Sequence, residues 1–330
     1  MERGPSGPGV PFLRHLGTAC SEQERDAHAV GAGDLLTAFK EGREVDLAGV
    51  VITGDLRLDE LPLVAVQTVG IPSPRAQAAL AQSNAKKLRV IPGPVSIRSS
   101  VIRGSLATNL RDSFLLIRGP VTMTGSTFER AVDFSRTVFL GPVDMSEAIF
   151  AREAFFIEAQ FAQPARFERT AFGVQSRFHK AVFAEPVTFH RAGFNGTAEF
   201  IQVSFEKDAR FSQTYFKMGT GFSGSHFHGQ LDFSEAVFER AAFFMFTLFD
   251  GNAYFRRTTF RAEANFSDAQ FKGVDDFSKA FFNVEPRFTR TKVSAARPSP
   301  GGLQDPRFLY GIGAALLVFA AAFILLLRIR

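Results

Sequence analysis

Residues 128–150 read FERAVDFSRTVFLGPVDMSEAIF, and the spacing of their large apolar residues decides the fold. Phe128, Phe134, Phe139, Met145 and Phe150 fall six, five, six and five residues apart. The alternation runs without a slip to Phe288 and covers 30 positions, 29 of them Phe and one Met145. Phe156, Phe178, Phe200, Phe211, Phe222, Phe233, Phe255, Phe266 and Phe277 all lie on it. The chain of 330 residues holds 39 Phe against 3 Tyr and no Trp, so one residue type is used for one repeated job. A fixed period of this kind is the mark of a repeat architecture.

Small residues stand two positions before many of the large ones, as at Val132, Ala154, Ala165, Val187, Ala209 and Ala264. A large and a small residue at spacing two share one side of an extended strand. The remaining positions are mostly polar. Each unit therefore reads as a short strand with two residues facing in. A helical supercoil of period eleven does not fit, because residues five apart on a helix are about 140° apart. Pro142, Pro164 and Pro186 would also break such a helix repeatedly.

The stretches AVDFSRTVF from Ala131, PVTFHRAGF from Pro186 and EANFSDAQF from Glu263 resemble the pentapeptide-repeat family. The resemblance implies an all-β, right-handed quadrilateral β-helix, a solenoid with one repeat per face. The family's usual repeat is five throughout and its central residue is more often Leu. Here every second unit has six, which predicts 22 residues per coil with an outward extra residue at two opposite corners.

Outside the ladder, residues 1–30 carry Gly, Pro and charge without period and read as a flexible arm. Residues 31–127 read as a cap and irregular early coils. Asp34 before LLTAFKEG predicts an N-capped helix that ends at Gly42 and covers the first coil. Leu47, Ile52 and Leu58 repeat the ladder spacing in aliphatics. Residues 59–90 read as an insertion with a helix near Pro74–Lys86, after which the pattern resumes at Val95, Ile97 and Ile102. The regular ladder occupies 128–290 and a linker 291–307. Phe308–Leu327 has 20 residues without a charge, enough at about 1.5 Å per residue to span a membrane. The opening MERGPSGPGVPFLRHLG has no apolar run suited to a signal peptide, so the expectation is a single-pass C-terminal anchor with the repeats in the cytoplasm. Gly311 and Ala315 form a small-residue pair that would let two such helices approach, as in a homodimer.

Formal net charge is +5, but residues 128–291 hold 19 Lys and Arg against 20 Asp and Glu. The basic excess lies partly beside the predicted span, where anionic headgroups would attract it. Nucleic acid is not an expected partner. The family's quinolone-resistance branch implies duplex mimicry through an acidic surface, which this neutral ladder lacks. Catalytic, cofactor and metal sites are not expected. Cys20 is the single cysteine, and no phosphate loop or nucleophile elbow occurs. His179 and His190 are eleven residues apart, half a coil, and His226 and His228 flank Phe227 with no carboxylate beside them in sequence. One stretch breaks the polar rule. Phe243, Met245, Phe246, Leu248 and Tyr254 occupy expected outward positions and form a candidate partner patch. The functional expectation is a tail-anchored, non-catalytic interaction scaffold with a protein partner. Its alternatives are a regulatory subunit of a channel or transporter and a DNA-mimicking topoisomerase inhibitor.

Overall fold

The computed structural model describes residues 2–3, 10–83, 85–110, 113–294 and 301–305. Short strands follow one another around a rod and stack in register on the strands 22 residues away. Thr127 pairs with Ile149 and Phe128 with Phe150, and every later pair on that side repeats the step. Four sheets result, with 12, 11, 9 and 11 strands among the described residues, parallel except for the antiparallel pairs Glu2–Arg3 with Arg14–His15 and Val64–Ala65 with Lys87–Leu88. We number them by the coil that begins at Val143. Val143–Asp144 belongs to the first sheet, Ile149–Phe150 to the second, Glu153–Phe155 to the third and Gln160–Phe161 to the fourth. The coil is right-handed, as parallel crossover connections almost always are.

Every ladder residue from Phe128 to Phe277 is buried. Rings in one sheet stack along the rod, with centroids from 4.4 Å (Phe249–Phe271) to 5.8 Å (Phe134–Phe156) apart. Rings of the first and third sheets meet edge-on across the centre, as Phe178–Phe189 at 5.6 Å and Phe222–Phe233 at 5.2 Å. Both arrangements suit the ring quadrupole. The small residues between them fill what the rings leave, and Val132, Ala154, Ala165, Val187, Ala209 and Ala264 are all buried. In that slot Thr170 donates its hydroxyl to Met145 (2.8 Å) and Thr214 to Phe189 (2.8 Å), ladder carbonyls one coil back, and both buried donors are thereby satisfied. Thr220 instead donates to Met218 (3.4 Å), and the buried Thr137 hydroxyl has no hydrogen-bond partner.

The alternation of five and six has a backbone cause. Each five-residue step turns the corner tightly, with φ near +55° to +60° two residues after the ladder residue. Glu147, Glu158, Arg169, Lys180, Arg191, Gln202 and Gln213 all take it, one every eleven residues, and Gly224 continues the series. The N–H of Ala148 donates to the carbonyl of Met145 (3.1 Å), so the positive φ falls at the third residue of a type II turn. Each six-residue step makes the wider corner, and its extra residues face solvent, as at Glu129, Arg130, Ala151 and Arg152. At one wide corner the coils come so close that a Cβ on Gly196 would stand 1.8 Å from the Val174 carbonyl oxygen.

The N-terminal end differs from the flexible arm expected for residues 1–30. Phe12–His15 pairs with Val45–Ala48 and adds a strand to the first sheet. Ser21 and Glu24 form a capping box at helix α1 (Glu22–Ala27), a signal legible as S-x-x-E. Helix α2 (Ala32–Lys40) is the expected cap, but its N-cap is Gly31 and Asp34 lies within its first turn. The start is fixed earlier because Val30–Gly31 pairs with Ile52–Thr53 as a strand. Leu35, Ala38 and Phe39 of α2 are buried over the aliphatic coil. Between that coil and the next, Val45 pairs with Val95, a step of 50 residues, which is 28 more than a regular coil. The added chain carries helix α3 (Pro74–Gln82) and packs Ile71 and Leu80 on Leu88, Phe114, Leu116 and Val138. Ser113–Ile117 is consequently buried on both of its sides.

At the C-terminal end, Lys292–Val293, within the segment read as linker, adds a further strand to the fourth sheet. Residues 301–305 fold back over the last coil. The Gly301 carbonyl accepts from Phe277 N–H (2.8 Å), and Leu303 N–H donates to Asp275 Oδ2 (2.7 Å). Phe282 and Phe288 are only partly buried there. The expected span Phe308–Leu327 and its Gly311/Ala315 pair lie outside the described residues. Among the described residues no helix is long and apolar enough to cross a membrane.

Candidate functional site

The outer surface is ordered by the same 22-residue step. At the tight corners, oppositely charged side chains stack one coil apart: Arg136 on Glu158 (3.0 Å), Arg169 on Glu147 (3.0 Å) and Arg290 on Asp268 (2.6 Å). Just before the tight turns, Asp133, Asp144, Asp232, Asn265 and Asp276 accept the N–H two residues on, at 2.8–3.0 Å. These are Asx-type contacts that fix the turn. Asn265, which opens an Asn-Phe-Ser triplet, is buried by this role.

Phe246 stands out against that background. It occupies a tight corner with φ 57° and is 61% exposed. The same corner carries Gln202 and Gly224 in the two coils before it and Asp268 in the coil after. Phe243 on the third sheet, Met245 in the turn and Leu248 on the fourth sheet flank it, all half-buried. Four of the five predicted patch residues therefore wrap one corner. Tyr254 does not join them. It lies on the first sheet, across the rod, where the Arg256 guanidinium sits 4.2 Å from its ring centroid and Asn252 donates to its hydroxyl (3.1 Å).

Beside the apolar corner the structure assembles a group that the sequence reading missed. His226 pairs in register with Leu248. His226 and His228 flank the inward Phe227 and so share the outer side of one strand. Asp250, one coil above His228, reaches both: its Oδ2 is 2.7 Å from His226 Nε2 and 3.4 Å from His228 Nδ1. Glu206, one coil below, lies 3.8 Å from His228 Nε2, and Lys272, one coil further on, lies 2.9 Å from Asp250 Oδ1. Burial pushes the Asp250 carboxyl up, but its hydrogen bonds with Lys272 and His226 outweigh this and hold it below the usual value. The signal was present as a step of 22 between His228 and Asp250. It is invisible to any reading of adjacent residues.

His179 and His190 sit at separate corners, as their half-coil spacing requires. His179 Nε2 meets Glu199 (2.7 Å), and His190 Nδ1 meets the Ser212 hydroxyl (2.9 Å). Burial, with Arg210 nearby, holds the His190 imidazole below its usual value.

The family described as pentapeptide repeats (9 copies) matches residues 117–159, 189–237 and 233–280. No curated protein matches the chain. Among solved structures, QnrB1, a plasmid-mediated fluoroquinolone resistance protein, is 16% identical over 60% of this chain and 91% of its own. The TM-score is 0.16, too low for that likeness to carry an argument.

Proposed function

We propose that this pentapeptide-repeat protein is a non-catalytic interaction scaffold, tethered to a membrane through Phe308–Leu327, whose partner docks at the corner around Phe246. One observation carries the reading. A corner column that is polar or glycine in the neighbouring coils places a largely exposed phenyl ring at one level, with Met245, Leu248 and Phe243 beside it. Phe246 is the most exposed of the large apolar side chains described, and an apolar corner built around it is suited to a partner. Tyr254 is left out of the docking surface, since Arg256 and Asn252 occupy it on another side.

The tether is read from the uncharged run of 20 residues, and the chain leaves the described rod at residue 305, at its C-terminal end. Duplex mimicry has less support. Net charge over residues 128–291 is −1, and carboxylates such as Glu158, Glu235 and Glu239 pair with arginines instead of forming an acidic face.

The test is crosslinking and co-purification of the full chain in detergent against Phe246→Gln/Leu248→Gln. Gln202 and Gln270 already stand at equivalent positions, so the variant keeps the fold. Loss of specific partners from the variant is the expected result. An unchanged partner set overturns the docking site.

A further inference from the structure

We propose that His226, His228 and Asp250 form a binding site for a first-row transition-metal ion, with zinc as the reference case, on the outer face of the fourth sheet. This site is separate from the partner corner in its chemistry and does not depend on it.

The argument begins with donor placement. His226, His228 and Asp250 each offer one ligand atom within 4.8 Å of the other two, the only such group of three among the described residues. Two donors held about 2.0–2.1 Å from a tetrahedral ion stand roughly 3.3 Å apart. The distances from the carboxylate oxygen to the two imidazoles, 2.7 Å and 3.4 Å, bracket that value. An ion can enter by replacing the proton between His226 Nε2 and Asp250 Oδ2 and widening that contact. Two imidazoles and one carboxylate suit zinc, copper, nickel or cobalt better than calcium or magnesium, which prefer all-oxygen shells.

The neighbours support the same reading. Glu206 Oε1 adds a negative charge 3.8 Å from His228 Nε2, beyond hydrogen-bond distance. Lys272 holds the other oxygen of Asp250 at 2.9 Å, leaving Oδ2 for the ion. The site is preorganised because its donors stand on backbone locked by the ladder: His226 is bonded to Val203 and Asp250 to Phe227 through their N–H groups, both at 2.8–2.9 Å. The side chains remain about one-third exposed, so an ion has access and a fourth position is open. Three protein ligands with an open position would let a partner's side chain or water complete the shell.

The test is calorimetric titration of the full chain with zinc, with cobalt(II) absorption reporting geometry, in a Cys20→Ser background that removes the one thiol. Expected is one ion per chain, bound at least tenfold more weakly by His226→Ala and by Asp250→Asn, and unaffected by His190→Ala. The altered outer-face residues all face outward, and circular dichroism checks that each variant retains its fold. Absence of saturable binding, or binding that survives both His226→Ala and Asp250→Asn unchanged, overturns the site.

Discussion

A single inward phenylalanine shows how the rod is held. Phe211 stacks at 4.8 Å on both Phe189 and Phe233 and meets Phe200 and Phe222 edge-on at 5.4 and 5.5 Å. It is fully buried, with backbone fixed on both sides, so the space left by truncation cannot collapse. Phe211→Ala should cost about 3–5 kcal/mol, read as the shift of a urea midpoint at constant slope. An unchanged midpoint would contradict the inward assignment. This role was legible in the sequence because period and residue type coincide. The corner conformation was not. Arg, Glu, Lys, Gln, Asp and Phe share the positive φ at one position in eleven, and none of them announces it as Gly would. The left-handed turn costs each such residue roughly 1–2 kcal/mol, and the coils on either side impose it.

A strand of the regular ladder is only two or three residues long, and its stability comes from its neighbours along the sheet. The first sheet illustrates this at its C-terminal end. Arg256 bonds to Asp276 (2.5 Å), whose other contact is the Ser278 N–H (2.9 Å). Burial raises the Asp276 carboxyl, but Arg256 and Ser278 together bring it below its usual 3.8. A carboxyl depressed in the folded state binds its proton more readily when unfolded. It therefore stabilises the fold fully above about pH 4, and that stabilisation is lost as pH falls through the depressed value. Melting temperature should drop as pH falls below about 4, and Asp276→Asn should flatten that part of the profile. A variant with the same acid profile as the parent removes Asp276 from this role. The neighbouring Asp275 fills a slot that is uncharged elsewhere along the ladder, and the returning Leu303 N–H donates to it. The chain's return at 301–305 supplies a partner for a carboxylate there, which sequence period alone could not show.

Across the whole molecule, stability is close to a sum over coils and the interfaces between them. Removing residues 176–197, one full turn, joins equivalent positions and should leave a shorter rod with the same parallel β signature and a modestly lower midpoint. Removing five residues puts a tight corner where a wide one belongs and should abolish cooperative unfolding. Circular dichroism with urea titration separates the two, and equal damage from both deletions would refute the coil length. At this scale the rod was legible and the ends were less so. The insertion at 59–90 and the strand at Phe12–His15 break the period, and their placement rests on packing against Phe114, Leu116 and Val45–Ala48. The His226–Asp250 contact belongs with them, since it joins residues that are neighbours only after the coil is wound.

The unbroken 22-residue step has one more consequence. Each added or lost turn moves everything beyond it by about 4.8 Å without rotating it, because the turn ends on the face where it began. An eleven-residue change would instead carry the downstream surface to the opposite side while keeping every ring indoors. A lineage of such chains can thus tune reach in fixed increments and choose orientation by half-turns, leaving the chemistry at either end untouched.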